Sequence, residues 1–185
     1  MSEFFDHITP DHAAFIARQP VFFVATAAEG ARINLSPKGM DTFRVLEGGR
    51  QCAYLDFGGS GNETHAHLAA DGRITIMFCA FDQPALIYRI YGRGRAVLPQ
   101  DADWDALAAH FTLERGVRQI FLVDVDSTQT SCGWAVPKMA LVEERQTLRK
   151  YYVNDDAGER LAKYQQRIRS IDGLPITPPS RLTYS

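Results

Sequence analysis

Cysteine is scarce in this chain of 185 residues, and the three present, Cys52, Cys79 and Cys132, form no CxxC pair. So sparse and odd a set argues against both a disulfide framework and a zinc site. Long apolar runs are missing too, so no segment has the length a membrane span needs. The opening MSEFFDHITP carries acidic residues and no apolar core, unlike a secretory signal, and a cytoplasmic protein is expected. Charge of one sign is not in excess. With 20 Lys and Arg against 22 Asp and Glu, the formal net charge of −2 gives no reason to expect nucleic acid or an acidic membrane as partner. Neither GxGxxG nor GxxxxGK[ST] occurs, which removes the dinucleotide and nucleotide-triphosphate fingerprints. His65 and His67 lie two apart, on different faces of a helix, so they make no i, i+4 ligand pair; no metal is expected, and both are assigned to the surface or an interface. Asp71, Asp82 and Glu114 form no pattern of a carboxylate dyad.

What is present is ordinary globular material, 45% hydrophobic and 23% charged, of a length that suits one domain over 1–185. Thr9-Pro10-Asp11 reads as a helix start, with a capping hydroxyl, proline at the first position and an acid at the positive dipole end. Residues 21–26 form a short apolar run of β-formers, and 32–36 alternate as a returning strand should. Residues 43–46 and 52–56 read as strands around the Glu47-Gly48-Gly49 turn. A short helix is expected over 62–70, then strands over 73–79 and 85–98, the latter bent at Gly92 and Gly94. A helix over 101–110 and a last strand over 119–125 follow. Charged helices are expected over 138–153 and 155–170, ahead of a proline-rich tail. Strands with helices inserted singly predict a mainly β fold, an antiparallel barrel with peripheral helices from about 138 onward.

The chemistry concentrates in two stretches, Asn34-Leu35-Ser36-Pro37-Lys38-Gly39 and Tyr54-Leu55-Asp56 leading to Ser60-Gly61-Asn62-Glu63-Thr64. Each begins as a strand and ends in a loop of glycines, hydroxyls and amides. Glycines let a backbone approach a ligand closely, and the N–H groups of the helix that follows suit an anion. Lys38 would supply a point charge, Ser60 and Thr64 hydroxyl donors. A ligand-free account is equally at hand: Ser60 and Glu63 have the spacing of a capping box, and Lys38 that of a solvated turn lysine.

These same residues resemble the FMN-binding proteins related to pyridoxamine 5′-phosphate oxidase. Ser131-Cys132-Gly133-Trp134-Ala135-Val136-Pro137 and Ser170-Ile171-Asp172-Gly173-Leu174-Pro175 resemble signatures of one branch of that superfamily. The resemblance covers nearly the whole chain. It implies an FMN-binding split barrel that forms a homodimer, with an FMN in each of two clefts at the subunit interface. By analogy Asn34, Leu35 and Ser36 would line the flavin ring, and Lys38, Ser60, Asn62 and Thr64 would hold the ribityl phosphate. Tyr54, Leu55 and Asp56 would lie along the ribityl chain or ring edge. Cys132, Gly133 and Trp134 of the second subunit would cover the ring. An indole suits stacking on a planar ring, and equally a core or a dimer interface. Cys132 is read as a small buried apolar side chain rather than a reactive thiol.

Two departures bear on activity. Related branches often carry arginine after the Gly-Asn pair, where this chain has Glu63, so the phosphate would rest on Lys38, Thr64 and backbone donors. Pyridoxamine phosphate oxidases also carry an Arg-Leu-His motif near the C-terminus, and the corresponding stretch here is Val136-Pro137-Lys138-Met139-Ala140. The resemblance thus implies an FMN-dependent oxidoreductase of unknown substrate and unassigned catalytic residues. The alternatives are a flavin-binding protein without turnover, or the same barrel holding a deazaflavin or haem.

Overall fold

Residues 52–55 place Cys, Ala, Tyr and Leu in succession, where a strand wet on one face would alternate apolar with polar. A strand of this kind must be covered on both faces. In the computed structural model, which describes residues 2–184, it is. Eight strands pair antiparallel: β1 (Glu3–Phe5), β2 (Val21–Thr26), β3 (Asn34–Gly39), β4 (Phe43–Leu46), β5 (Gln51–Phe57), β6 (Arg73–Cys79), β7 (Leu86–Val97) and β8 (Val117–Cys132). Their order is β3-β2-β6-β7-β8-β5-β4, with β1 added to β8. The two ends of that path are joined by residues 40–42 alone, a connection that spans at most about 14 Å. The sheet therefore curls until its ends approach, giving the expected split, barrel-like fold.

One face of β5 sends Cys52 and Tyr54 into a core with Phe22, Ile76, Phe78, Tyr88, Ile90 and Phe121, which α1 (Pro10–Ile16) closes with Phe15 and Ile16. The other face sends Ala53 and Leu55 into a second cluster with Val97, Ile120 and Trp104, under α3 (Trp104–Ala108). Both long strands shift register between Tyr91 and Gly92. Glycine is required there, since a Cβ would lie 2.1 Å from the Asp124 carbonyl oxygen.

The helix starts follow local chemistry. Thr9 Oγ1 accepts the His12 N–H at 3.3 Å, and Pro10 is the first helical residue. α3 is shorter than the expected 101–110 because the Asp101 carboxylate accepts the Leu98 N–H at 2.8 Å, closing a turn instead of opening a helix. α2 (Glu63–Ala70) lies where expected, but its capping box does not form. Asn62 caps it without a side-chain bond, while Glu63 reaches to the Ile171 N–H.

Three further differences have physical causes. β8 runs far past the expected 119–125, because β7 and β1 pair with its polar half, which carries no apolar signal of its own. β3 runs on through Pro37, tolerable because it is an edge strand that needs no second ladder. The helix expected over 138–153 shrinks to α4 (Thr147–Tyr152), since residues 135–146 stay mostly exposed and charged sequence with so little burial does not hold a helix. α5 (Ala157–Gln166) is capped by Asp156, whose carboxylate accepts the Glu159 N–H at 2.8 Å. The tail after residue 173 forms no helix or strand among the described residues, as its prolines predict. Among the described residues no helix is long and apolar enough to cross a membrane.

Candidate functional site

β3 ends and β5 ends on the same side of the barrel, so the two stretches singled out in the sequence converge. Asn34, Ser36, Lys38, Asp56, Ser60, Asn62 and Thr64 line one cavity of about 360 Å³, together with Gly59, Gly61 and Arg118. An apolar cavity of about 670 Å³ shares Pro37 and Lys38 with it and is closed by Leu141 and Leu148. A third cavity, of about 780 Å³, shares Gly59 and Ser60 with the polar one and Tyr151 with the apolar one, and is lined by Tyr152, Lys163, Arg167 and Arg169.

Asp56 organises the polar cavity. One carboxylate oxygen accepts Lys38 Nζ at 3.1 Å; the other accepts Arg118 Nη2 at 2.7 Å and Gln119 Nε2 at 2.9 Å. Burial alone would raise this carboxyl, but Arg118 and Lys38 beside it, with bonds from Arg118 and Gln119, hold it down at about 2. Two cations, Lys38 and Arg118, thus face the Asp56 carboxylate, and Glu63 on the same lining brings the formal charges into balance. Lys38 is no solvated turn lysine.

Gln119 relays this arrangement outward. Its Nε2 also donates to Asn62 Oδ1 at 2.7 Å, so its Oε1 must face His65 and accept from Nδ1 at 2.9 Å. His65 Nε2 is then left to accept the Thr177 N–H at 3.2 Å. Burial pushes the His65 imidazolium pKa down, which keeps the ring neutral and this pattern intact. Both His65 and His67 are buried within the chain, where surface or interface positions were expected, because α2 is covered on both of their faces: His67 meets Thr26 of β2, and His65 meets Gln119 and the Thr177 backbone.

Asn34 Nδ2 donates to Thr64 Oγ1 at 3.1 Å, tying β3 to the first turn of α2. Glu63 and Thr64 open that helix, and their N–H groups have no partner within it. The remaining residues named from the sequence lie elsewhere. Tyr54 is fully buried in the first core beside Phe22 and Phe121, and Leu55 packs in the second. Leu35 points outward and is exposed. Cys132, Gly133 and Trp134 sit at the far end of β8 and line none of these three cavities. Cys132 is exposed, not buried as expected, because only Leu86 pairs with it at the strand end.

Two arginines were not found by sequence reasoning. Arg118 Nη1 donates to the Gly61 carbonyl at 3.0 Å, and Arg167 Nη1 to the Gly59 carbonyl at 2.7 Å. Both grip the glycine loop from distant parts of the chain, in place of the arginine that Glu63 displaces. The signal for Arg118 was a charged residue just ahead of the apolar run 120–123; Arg167 carried none.

A family model for pyridoxamine 5′-phosphate oxidase matches residues 8–132, which span β2 through β8 and both cavity-forming loops. The chain belongs to that family. It is 33% identical over 197 aligned positions to the pyridoxamine 5′-phosphate oxidase family protein ustO of Aspergillus flavus, covering 95% of this chain and 78% of that protein. Among solved structures, a tagged HupZ variant from Group A Streptococcus superposes with a TM-score of 0.54 at 20% identity, covering 67% of this chain and 99% of that one. A Corynebacterium diphtheriae protein of unknown function gives 0.50 at 10% identity, covering 71% and 98%. These two likenesses establish the fold shared with the family. The α4–α5 region and the tail lie beyond the residues that the oxidase model matches.

Proposed function

We propose that this protein binds FMN in the cavity between β3 and the start of α2, and acts as a flavin-dependent oxidoreductase. One observation carries the reading: two stretches separated in sequence converge on a cavity that brings Lys38, Arg118 and a helix start together. That combination suits a phosphate monoester, whose charge is met by Lys38, Arg118 and the N–H groups of Glu63 and Thr64. Ser60, Asn62 and Thr64 would complete its hydrogen bonds. Asn34 and Ser36, with the apolar cavity beside Pro37, suit the ring system. A bound flavin supplies hydride or electron transfer; the protein binds and orients it and limits its access to water.

A homodimer is part of the proposal. Trp134, Met139, Leu141 and Val142 are exposed in and around an irregular segment, Val142 at 94%. Apolar side chains so placed call for cover, and a second copy bringing 132–134 to the open cleft would provide it.

A second reading is favoured by the basic, tyrosine-lined cavity next to Gly59 and Ser60. It could take the adenylate half of FAD, with Lys163 or Arg169 on the second phosphate. Denaturing the purified protein and identifying the released flavin by chromatography separates the two. A colourless protein that micromolar FMN or FAD fails to reconstitute would sink both. Lys38→Ala combined with Thr64→Ala is expected to weaken flavin binding by roughly 100-fold, the loss of two charge-assisted or polar phosphate contacts. Unchanged affinity in a folded variant would refute the phosphate assignment. Anaerobic reduction by nicotinamide and other donors then tests turnover, and an unreduced flavin throughout would favour binding without catalysis.

A further inference from the structure

We propose that Glu63, His67 and Asp172 form a binding site for a divalent transition-metal cation of the zinc type. One ligand atom from each of these residues lies within 4.8 Å of the others. Glu63 and His67 are an i, i+4 pair on one face of α2, a pairing hidden when only the two histidines are compared. Asp172 arrives from the opposite end of the chain. The turn that carries it is tightly built: Ser170 N–H donates to the Leu174 carbonyl, Ser170 Oγ accepts from the Asp172 and Leu174 N–H groups, and Gly173 takes φ +83°.

The independent mark of a ligand is His67 itself. It is 99% buried, its Nδ1 is engaged with Thr26 Oγ1 at 3.1 Å, and its Nε2 has no hydrogen-bond partner among the described residues. In the tautomer with the proton on Nδ1, donated to Thr26 Oγ1, Nε2 is the nitrogen whose lone pair is free for a cation held with Glu63 and Asp172. That is the outer-partner arrangement by which proteins orient a metal-binding imidazole. A lone pair and two negative groups repel each other unless a cation lies among them. One nitrogen with two carboxylate oxygens suits zinc and its neighbours, whose ligand distances of about 2.0–2.2 Å require only a modest contraction of the trio.

The groups facing the trio are Arg32, whose Nη1 meets one Asp172 oxygen at 2.6 Å and whose N–H meets the other at 2.9 Å, and the Ile171 N–H, shared by both Glu63 oxygens. Arg32 is a largely exposed side chain, and each carboxylate oxygen retains a lone pair for a cation. Such a cation would pin the 170–175 turn onto the start of α2, giving that signature stretch a task of its own. The sequence reading expected no metal, having found no cysteine set and no histidine pair.

The test uses the full chain with Cys132→Ser, which removes the exposed thiol as a competing ligand. After chelator treatment, the protein is dialysed against micromolar zinc chloride and analysed for bound metal, without added flavin, so the result stands apart from the cofactor proposal. One zinc per chain is expected. Glu63→Gln with Asp172→Asn should weaken binding at least 100-fold, while Arg32→Ala, which frees the Asp172 oxygen held by Nη1 and keeps the backbone N–H on the other, should bind at least as tightly. Calcium should not bind measurably, because it does not favour imidazole. No retained zinc, equal affinity in the double variant, loss of binding in Arg32→Ala, or equal uptake of calcium would each overturn the assignment.

Discussion

Asparagine in place of Asp56 is expected to cost about 3 kcal/mol of folding stability, the scale seen when one member of a buried ion pair is removed. Arg118 is only 5% exposed and would keep its burial while losing its counter-charge. Gln119 would lose the charged one of the two acceptors of its Nε2, keeping Asn62 Oδ1, so the relay through His65 to Thr177 should loosen too. The pH dependence has a definite sign. The Asp56 carboxyl sits at about 2 in the folded protein, below its unfolded value near ~3.9, so the folded state favours the carboxylate. Its stabilisation, on the order of 2 kcal/mol, is complete above about pH 4 and is lost as pH falls through about 2. Urea unfolding across that range should show a flatter acid slope in Asp56→Asn. Asp41, Asp103 and Asp155, also lowered by paired arginines, remain in both proteins and cancel in the comparison. Identical midpoints and slopes would show that the pairing does not stabilise the fold.

Alanine at Gly116 is expected to be as harmful, by a different route. Gly116 has φ +92°, and a Cβ there would come within 2.4 Å of the Tyr152 ring. The left-handed backbone costs a β-carbon about 1 kcal/mol, and forcing the ring aside adds about 2 kcal/mol. Tyr152 donates its hydroxyl to the Gly58 carbonyl, and Gly58 N–H donates to the Gly116 carbonyl at 2.9 Å. Moving the ring therefore shifts the loop that borders the candidate phosphate site. Thermal unfolding should show the loss, and flavin affinity should fall with it. Gly59→Ala is the control: no heavy atom lies within 4 Å of its Cβ position, so its stability should stay within about 0.5 kcal/mol. A Gly116→Ala protein as stable as that control would mean Tyr152 does not pack as described.

The contrast between what the sequence revealed and what it hid follows the range of the interactions. Val21–Thr26 and Arg73–Cys79 were readable because β-formers bounded by turn residues specify a buried strand locally. So was the start of α1, where Thr9, Pro10 and Asp11 each act within one turn. The polar half of β8 and all of β1 were hidden, since Gln129 and Thr130 are extended only because Phe4, Glu3, Tyr88 and Arg89 lie alongside. At the candidate site, the glycine loop and Lys38 were legible as residue types. Their organisation was not, because Arg118 and Gln119 reach Asp56 from about sixty positions away. Tyr54 and Leu55 show the limit of motif reading: the motif marks the strand, and the strand turns their side chains into the cores.

The length of β8 also bears on how the protein is made. A ribosome releases β1 through β7 before any of β8, yet β1, β5 and β7 each pair with it. Until residue 132 has emerged from the exit tunnel, β5 and β7 keep unpaired backbone edges and the Phe22–Tyr54–Phe121 cluster lacks a member. The nascent chain thus carries sticky edges through most of its synthesis, and topology of this long-range kind folds slowly. Slowed translation or lower growth temperature should therefore improve soluble yield less than added chaperone does, because the hazard is the wait for one late strand.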